Sequence, residues 1–230
     1  MSRRFDAVLF DAGGVLVLPD PTVLSPLLEP YGGDPSVEAH RRAHYAGMAA
    51  KSRESSAEGD WSVYNLAYVE SVGCRPGVAD HAAEVLDHTR SAFLWRWAIP
   101  ETLAALTALA GGGVPMGVVS NASGQIEAVL ALSGVCAVGG AGGLHPMRVI
   151  VDSHVVGVAK PDPAIFDHAL PHFDEFEVGR IAYVGDSVTM DVAAASGAGL
   201  HPLLIDPYGD HLGAPYETIR SVVDVVAMLC

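Results

Sequence analysis

The sequence predicts an α/β protein, with a mainly parallel sheet covered by helices on both faces and a helical segment inserted after the first strand. Three observations point there. Short apolar stretches ending in an acid or hydroxyl alternate with segments of helical period, the pattern of a sheet buried on both sides. Residues 22–97 break that alternation with helical periods alone, punctuated by Gly and Pro. At 230 residues, 50% hydrophobic and 17% charged, the chain can bury a sizeable core and lacks the composition of a disordered one.

Residues 5–10 read as a short buried strand that ends at Asp11 and turns sharply through Gly13-Gly14. Helical periods follow over 37–50, 61–72 and 80–95, with no strand between them. After Pro100 come a helix (101–110), a strand (114–120), a helix (124–132) and an apolar stretch (135–138). A helix (163–170), a strand (181–184), a helix (190–195), a strand (200–205) and a closing helix (219–229) complete the chain. The expected division is a core of residues 1–16 and 98–230 with a helical insertion at 17–97. The insertion holds 7 basic and 11 acidic residues, leaving 6 and 16 for the core, so over half the cations lie in the insertion. Solvated helix faces account for most of them; a few lining an anion-binding cleft is the sharper alternative.

A net charge of −14 without clustered Lys or Arg argues against a nucleic-acid partner. No apolar run approaches the ~20 residues of a membrane span, and the N-terminal stretch lacks a secretory pattern. Cys74, Cys136 and Cys230 are odd in number and widely spaced, which suits packing residues in a reducing cytoplasm. Only two lysines occur, Lys51 and Lys160.

Ligands of parallel α/β sheets bind outside the carboxyl ends of the strands. The residues there are Asp11, Ser120-Asn121 and Asp186-Ser187, and Lys160 stands just before a helix start in Gly157-Val158-Ala159-Lys160-Pro161-Asp162-Pro163. Two carboxylates with backbone carbonyls between them suit Mg²⁺, a hard cation. Mg²⁺ with Lys160 would shield an incoming phosphoryl group from Asp11, leaving Asp11 able to act as a nucleophile.

Four segments in this order, Val8-Leu9-Phe10-Asp11-Ala12-Gly13-Gly14-Val15-Leu16, Val118-Val119-Ser120-Asn121, the Lys160 segment, and Tyr183-Val184-Gly185-Asp186-Ser187-Val188-Thr189-Met190-Asp191, make the chain resemble a haloacid dehalogenase-like hydrolase of the subclass whose helical cap follows the first motif. The resemblance implies a Rossmann-like core with an α-helical cap domain, and a phosphatase acting on small phosphorylated metabolites. It implies further that Asp11 attacks phosphorus, that Ser120 and Asn121 bind the phosphoryl oxygens, and that Lys160 bridges nucleophile and phosphate. Asp11, Asp186 and the Gly13 carbonyl would hold Mg²⁺, with Asp191 supporting them.

One position departs from the pattern. Phosphatases of this type carry a second Asp two residues after the nucleophile as general acid and base, and this chain has Gly13; loss of such a group costs on the order of 10²–10⁴-fold in rate. Three alternatives follow: a haloacid dehalogenase, disfavoured by the Gly185-Asp186 pair; a phosphonate hydrolase using Lys51 as a Schiff-base lysine, disfavoured by its polar helix end; and a phosphometabolite-binding module without turnover. Other motifs are set aside. Asn121 replaces the first glycine of a nucleophile elbow around Ser123, and His145-Pro146 breaks a dinucleotide-loop reading of 139–143. His40 and His44, four apart on a helix without a matching carboxylate, read as surface histidines, and Pro171 separates His168 from His172. Trp61, Tyr64, Tyr68, Trp95 and Trp97 are expected in the insertion's core or hinge, with one or two facing substrate.

Overall fold

The computed structural model describes residues 3–56 and 59–229; Cys230, grouped above with the reduced thiols, lies outside them. The first strand, β1 (Ala7–Phe10), is buried at every position. Its side chains alternate between two clusters: Val8 and Phe10 enter one core layer, Ala7 and Leu9 the other. This double burial explains why the strand reads as a continuous apolar run.

The chain then forms β2 (Val17–Pro19) and four helices, α1 (Pro21–Leu28), α2 (Val37–Glu54), α3 (Ser62–Ser71) and α4 (Ala79–His88). Asp20 caps α1 by accepting from Thr22 N at 2.9 Å, and Ser36 caps α2 by accepting from Ala39 N at 3.2 Å. These helices enclose a core of their own, with Leu24, Leu28, Tyr64, Tyr68, Val69 and Leu86 at its centre. The expected helix at 80–95 ends early, because Trp95–Ala98 forms strand β3, antiparallel to β2. That pairing joins residues almost 80 positions apart and leaves no mark in local periodicity.

Beyond the ribbon, α5 (Pro100–Gly111) opens with Pro at its first turn, and β4 (Met116–Ser120), α6 (Ile126–Leu132), β5 (Cys136–Val138), β6 (His145–Met147) and β7 (Ile150–Asp152) follow. Next come α7 (Ser153–Val156), β8 (Ile181–Gly185), α8 (Ala193–Gly197), β9 (His201–Ile205), β10 (Thr218–Ile219) and α9 (Val222–Leu229). The expected helix at 163–170 is instead a run of 3-10 turns, Pro163–His168 and Leu170–Phe173, where Pro171 has no N–H to extend an α-helix. The expected helix at 190–195 is a π-turn, Val188–Val192, running into α8. Strands β7 and β10 went unpredicted because three and two residues carry no readable period.

The main sheet has the order β10-β9-β8-β1-β4-β7, with every pairing parallel. On one face α5 and α9 pack through Leu106, Leu109, Val225 and Leu229; on the other lie Ile165, Phe166, Phe173 and α8. No described helix is long and apolar enough to cross a membrane.

Helices α2 and α3 pack closely at Gly47, where an added Cβ would stand 2.5 Å from Tyr64 Cδ2. Gly47→Ala should therefore destabilise the protein by about 1–3 kcal/mol through overpacking, less the small gain in helix propensity. Urea denaturation followed by circular dichroism measures it; an unchanged or raised midpoint would contradict this close packing.

Candidate active site

Because β1 lies between β8 and β4, the ends of three adjacent strands converge. Phe10 is in register with both Val118 and Val184, so Asp11, Ser120 and Asp186 sit side by side at the carboxyl edge. Lys160 reaches the cluster from the loop after α7. Its Nζ lies 2.7 Å from Asp191 Oδ1, 2.9 Å from the Tyr183 hydroxyl and 3.1 Å from Asp11 Oδ1, so each of its three protons faces an oxygen. The Asn121 side chain grips the backbone of Lys160 from both sides, donating to its carbonyl at 2.9 Å and accepting from its N–H at 2.8 Å. The amide expected to help bind phosphoryl oxygens thus uses its oxygen and one of its two protons to position Lys160. Asp191 Oδ2 accepts from the backbone N–H groups of Asp186 and Ser187 at 3.1 and 2.9 Å, which fixes the turn carrying Asp186.

Asp11, Asp186 and Asp191 bring carboxylate oxygens within 4.8 Å of one another. Burial raises the Asp11 carboxyl most, Lys160 pulls it back, the charges of Asp191 and Asp186 add to the rise, and a Ser120 hydrogen bond lowers it, for a net value of about 7. Burial also opposes the charge on Lys160, but Asp11 and Asp191 hold it above the ordinary lysine value. Three acids against one cation leave the cluster short of positive charge, and its donors are hard oxygens. The residues present therefore fit a divalent cation.

The turn after Asp11 admits no bulk. Gly14 has φ +69°, and a Cβ there would stand 1.8 Å from Asp186 Oδ2 and 2.8 Å from His44 Nε2. His44 is completely buried, not a surface histidine: its Nε2 lies 2.9 Å from Asp186 Oδ2 and its Nδ1 2.9 Å from the Tyr64 hydroxyl. Burial pulls its pKa down to about 3. A neutral ring donating from Nε2 and accepting at Nδ1 satisfies both partners. His40 is buried too, with Nδ1 2.7 Å from the Tyr68 hydroxyl. His44 was missed because its carboxylate partner lies 142 positions away; beside it, Tyr45 donates to the Gly14 carbonyl at 2.8 Å.

A cavity of about 520 Å³ lies over the cluster, lined from the core by Asp11, Ser120, Lys160 and Asp186 and from the helical segment by Met48, Lys51, Trp61, Arg90 and Trp95. Trp61 and Trp95 are thus the aromatics that face it, while Tyr64 and Tyr68 belong to the helical core. A Cβ on Gly13 would meet the Trp95 ring at 3.2 Å, so an indole stands over the place where a second acid would project. Lys51 lies in the last turn of α2, at a polar helix end as expected, yet it is 4% exposed and lines the cavity. Cys74 and Cys136 pack in the hydrophobic clusters as expected.

An open parallel sheet with an acid-rich, lysine-bearing cleft at its carboxyl edge puts the cluster where such folds carry their ligand sites. The sequence pattern described as haloacid dehalogenase-like hydrolase matches residues 5–199, and the chain belongs to that family. It is 34% identical over 126 residues to the haloacid dehalogenase-like hydrolase domain-containing protein 3 of Danio rerio, a match spanning 54% of this chain and 47% of that protein. Over 85 residues it is 32% identical to the pyrimidine 5'-nucleotidase YjjG of Escherichia coli (strain K12), spanning 36% of this chain and 38% of that one. The matched stretches thus span less than half the length of these relatives. Among solved structures, a HAD phosphatase from Thermococcus onnurineus superposes with a TM-score of 0.59 at 22% identity, covering 97% of both chains, a likeness of fold.

His44 provides a pH test. Below its ordinary value of about 6.5 the unfolded chain takes up a proton that the buried ring refuses down to about 3, so its contribution to stability falls as pH drops through that window. Asp11 acts in the opposite sense between its unfolded value and about 7, because its folded pKa is raised. The signature is therefore a difference. Without metal, the stability of wild type minus that of His44→Gln should fall between pH 6.5 and 5 by up to about 1.4 kcal/mol per unit; a flat difference in urea titrations would show a protonated ring.

Proposed function

We propose that this chain is a Mg²⁺-dependent phosphatase of small phosphorylated metabolites working through an aspartyl-phosphate on Asp11, with residues 17–97 acting as a cap over the core. One observation carries this reading: Asp11, Lys160, Ser120 and Asp186 reach one cavity from separate segments, with Lys160 Nζ 3.1 Å from the proposed nucleophile. The hydrolase family and the nucleotidase relative support phosphate-ester chemistry. Buried free thiols at Cys74 and Cys136 support a reducing, cytoplasmic setting.

In the first step an Asp11 carboxylate oxygen forms a bond to phosphorus as the ester P–O bond breaks. Ser120 donates to the phosphoryl oxygens, and Lys160, kept in place by Asn121, offsets their charge from beside Asp11. Water then attacks phosphorus, freeing inorganic phosphate and restoring the carboxylate. Asp11, Asp186 and the Gly13 carbonyl would hold Mg²⁺, which when bound supplies the positive charge that keeps Asp11 ionised and offsets the phosphoryl charge. The cavity's described carboxylates are the three of the cluster, so the proton for the leaving oxygen comes from water or from a cap residue rather than from an acid at position 13.

Phosphate release from a panel of small esters with Mg²⁺ tests this. Asp11→Asn should lower turnover by about 10³-fold or more, and chelation should abolish it until Mg²⁺ is restored. Halide release from 2-haloacids that ignores chelator would overturn the reading. Gly13→Asp alone should lower both turnover and stability, since its side chain meets Trp95, whereas Gly13→Asp with Trp95→Ala should recover turnover by about tenfold or more on esters with poor leaving groups.

A further inference from the structure

A carboxylate that is to ligate a cation has to hold its oxygens still, and the Asp side chain does not do so by itself, because its terminal torsion is broad. Asp191 fixes the backbone of the turn through the N–H groups of Asp186 and Ser187. The Asp186 carboxylate is gripped from elsewhere, by the helical segment. His44 Nε2 lies 2.9 Å from Asp186 Oδ2, and the same oxygen stands 1.8 Å from where a Cβ on Gly14 would be, so it is wedged between the imidazole and the glycine backbone.

The imidazole is held in its turn. The Tyr64 hydroxyl lies 2.9 Å from Nδ1, and the rings of Tyr45, Trp95 and Tyr64 meet it edge-on with centres 5.0, 5.3 and 5.8 Å away. A carboxylate accepts hydrogen bonds, so Nε2 carries the proton that faces Asp186 and Nδ1 accepts from Tyr64. Further contacts of α2 end beside this one: Tyr45 donates to the Gly14 carbonyl at 2.8 Å, and Ser52 Oγ accepts from the Val188 N–H at 3.3 Å. One helix thus reaches both the turn after Asp11 and the turn after Asp186.

We propose that His44 is a positioning residue for the metal-binding carboxylate: by donating to Asp186 from the helical segment it orients that ligand and sets the affinity of the site for its divalent cation. This rests on Asp186 being a metal ligand, as in the reading above, and not on which reaction the loaded site performs. Partners behind a metal ligand act by holding its oxygens in place before the cation arrives, and losing one costs about 10–100-fold in affinity.

The test separates the donor from the packing. Gln at position 44 can place an amide N–H where Nε2 stands, whereas Asn reaches only as far as Nδ1 and loses Asp186. In calorimetric titrations of metal-free protein, His44→Asn should bind Mg²⁺ about tenfold more weakly or worse, and its urea midpoint should rise less on adding Mg²⁺. His44→Gln should stay within about threefold of wild type. Asn and Gln variants that bind Mg²⁺ equally, at whatever affinity, overturn the proposal and leave the metal reading standing. Long-range proton–nitrogen spectra of the wild type should show a proton on His44 Nε2; a ring protonated at Nδ1 alone would turn a lone pair towards Asp186 and overturn the proposal whether or not the variants fold. A wild type that binds no Mg²⁺ removes the metal reading and the proposal with it. The expected Asn and Gln pattern together with no phosphate release from any ester leaves His44 in its role and removes the phosphatase reading alone.

Discussion

Everything at the carboxyl edge of the sheet depends on how three carboxylates are kept together around one ammonium. Asp11, Asp186 and Asp191 would repel one another, and burial disfavours the charge of Asp11 further. Lys160 opposes this with three directed protons, and Asp191 is held further by two backbone N–H groups. The balance remains short of positive charge. That shortfall, with hard oxygen donors around it, fits the cluster to a divalent cation.

Small residues permit this crowding. At Gly185 a Cβ would stand 2.3 Å from Asp191, and at Gly14 one would strike Asp186, so the glycines let backbone and carboxylates approach as no other residue could. Gly13 belongs to the same economy of space for a different reason. Its missing side chain is answered by Trp95, whose ring lies 3.2 Å from where a Cβ would stand, so the departure from the usual acid is matched elsewhere in the chain.

The sequence made the sheet legible because its strands are buried on both faces and end in chemistry-bearing residues; Asp11, Ser120 and Asp186 could be read from strand ends alone. Lys160 was legible as one of two lysines before a helix start. What was hidden shares one property: it depends on pairing across long separations. The β2–β3 ribbon, His44 against Asp186 and Trp95 over Gly13 each join positions about 80 or more apart. Helix period located α2 well, yet could not tell which of its faces would be covered, so two buried histidines read as exposed.

These hidden contacts also decide what holds the helical segment on the core. The ion pairs Arg42–Asp210 and Arg41–Glu101 join the two, but their side chains are partly exposed, and such pairs contribute roughly 0–1 kcal/mol each. The contacts of His44 with Asp186 and of Tyr45 with the Gly14 carbonyl are buried and would leave unsatisfied polar groups if broken in place, a penalty of about 1–3 kcal/mol apiece. The buried pair outweighs the rim. Because both contacts end on the turn or the carboxylate that shapes the acid cluster, the position of the helical segment and the arrangement of the site are mechanically one system: displacing α2 removes a hydrogen bond from Asp186 itself.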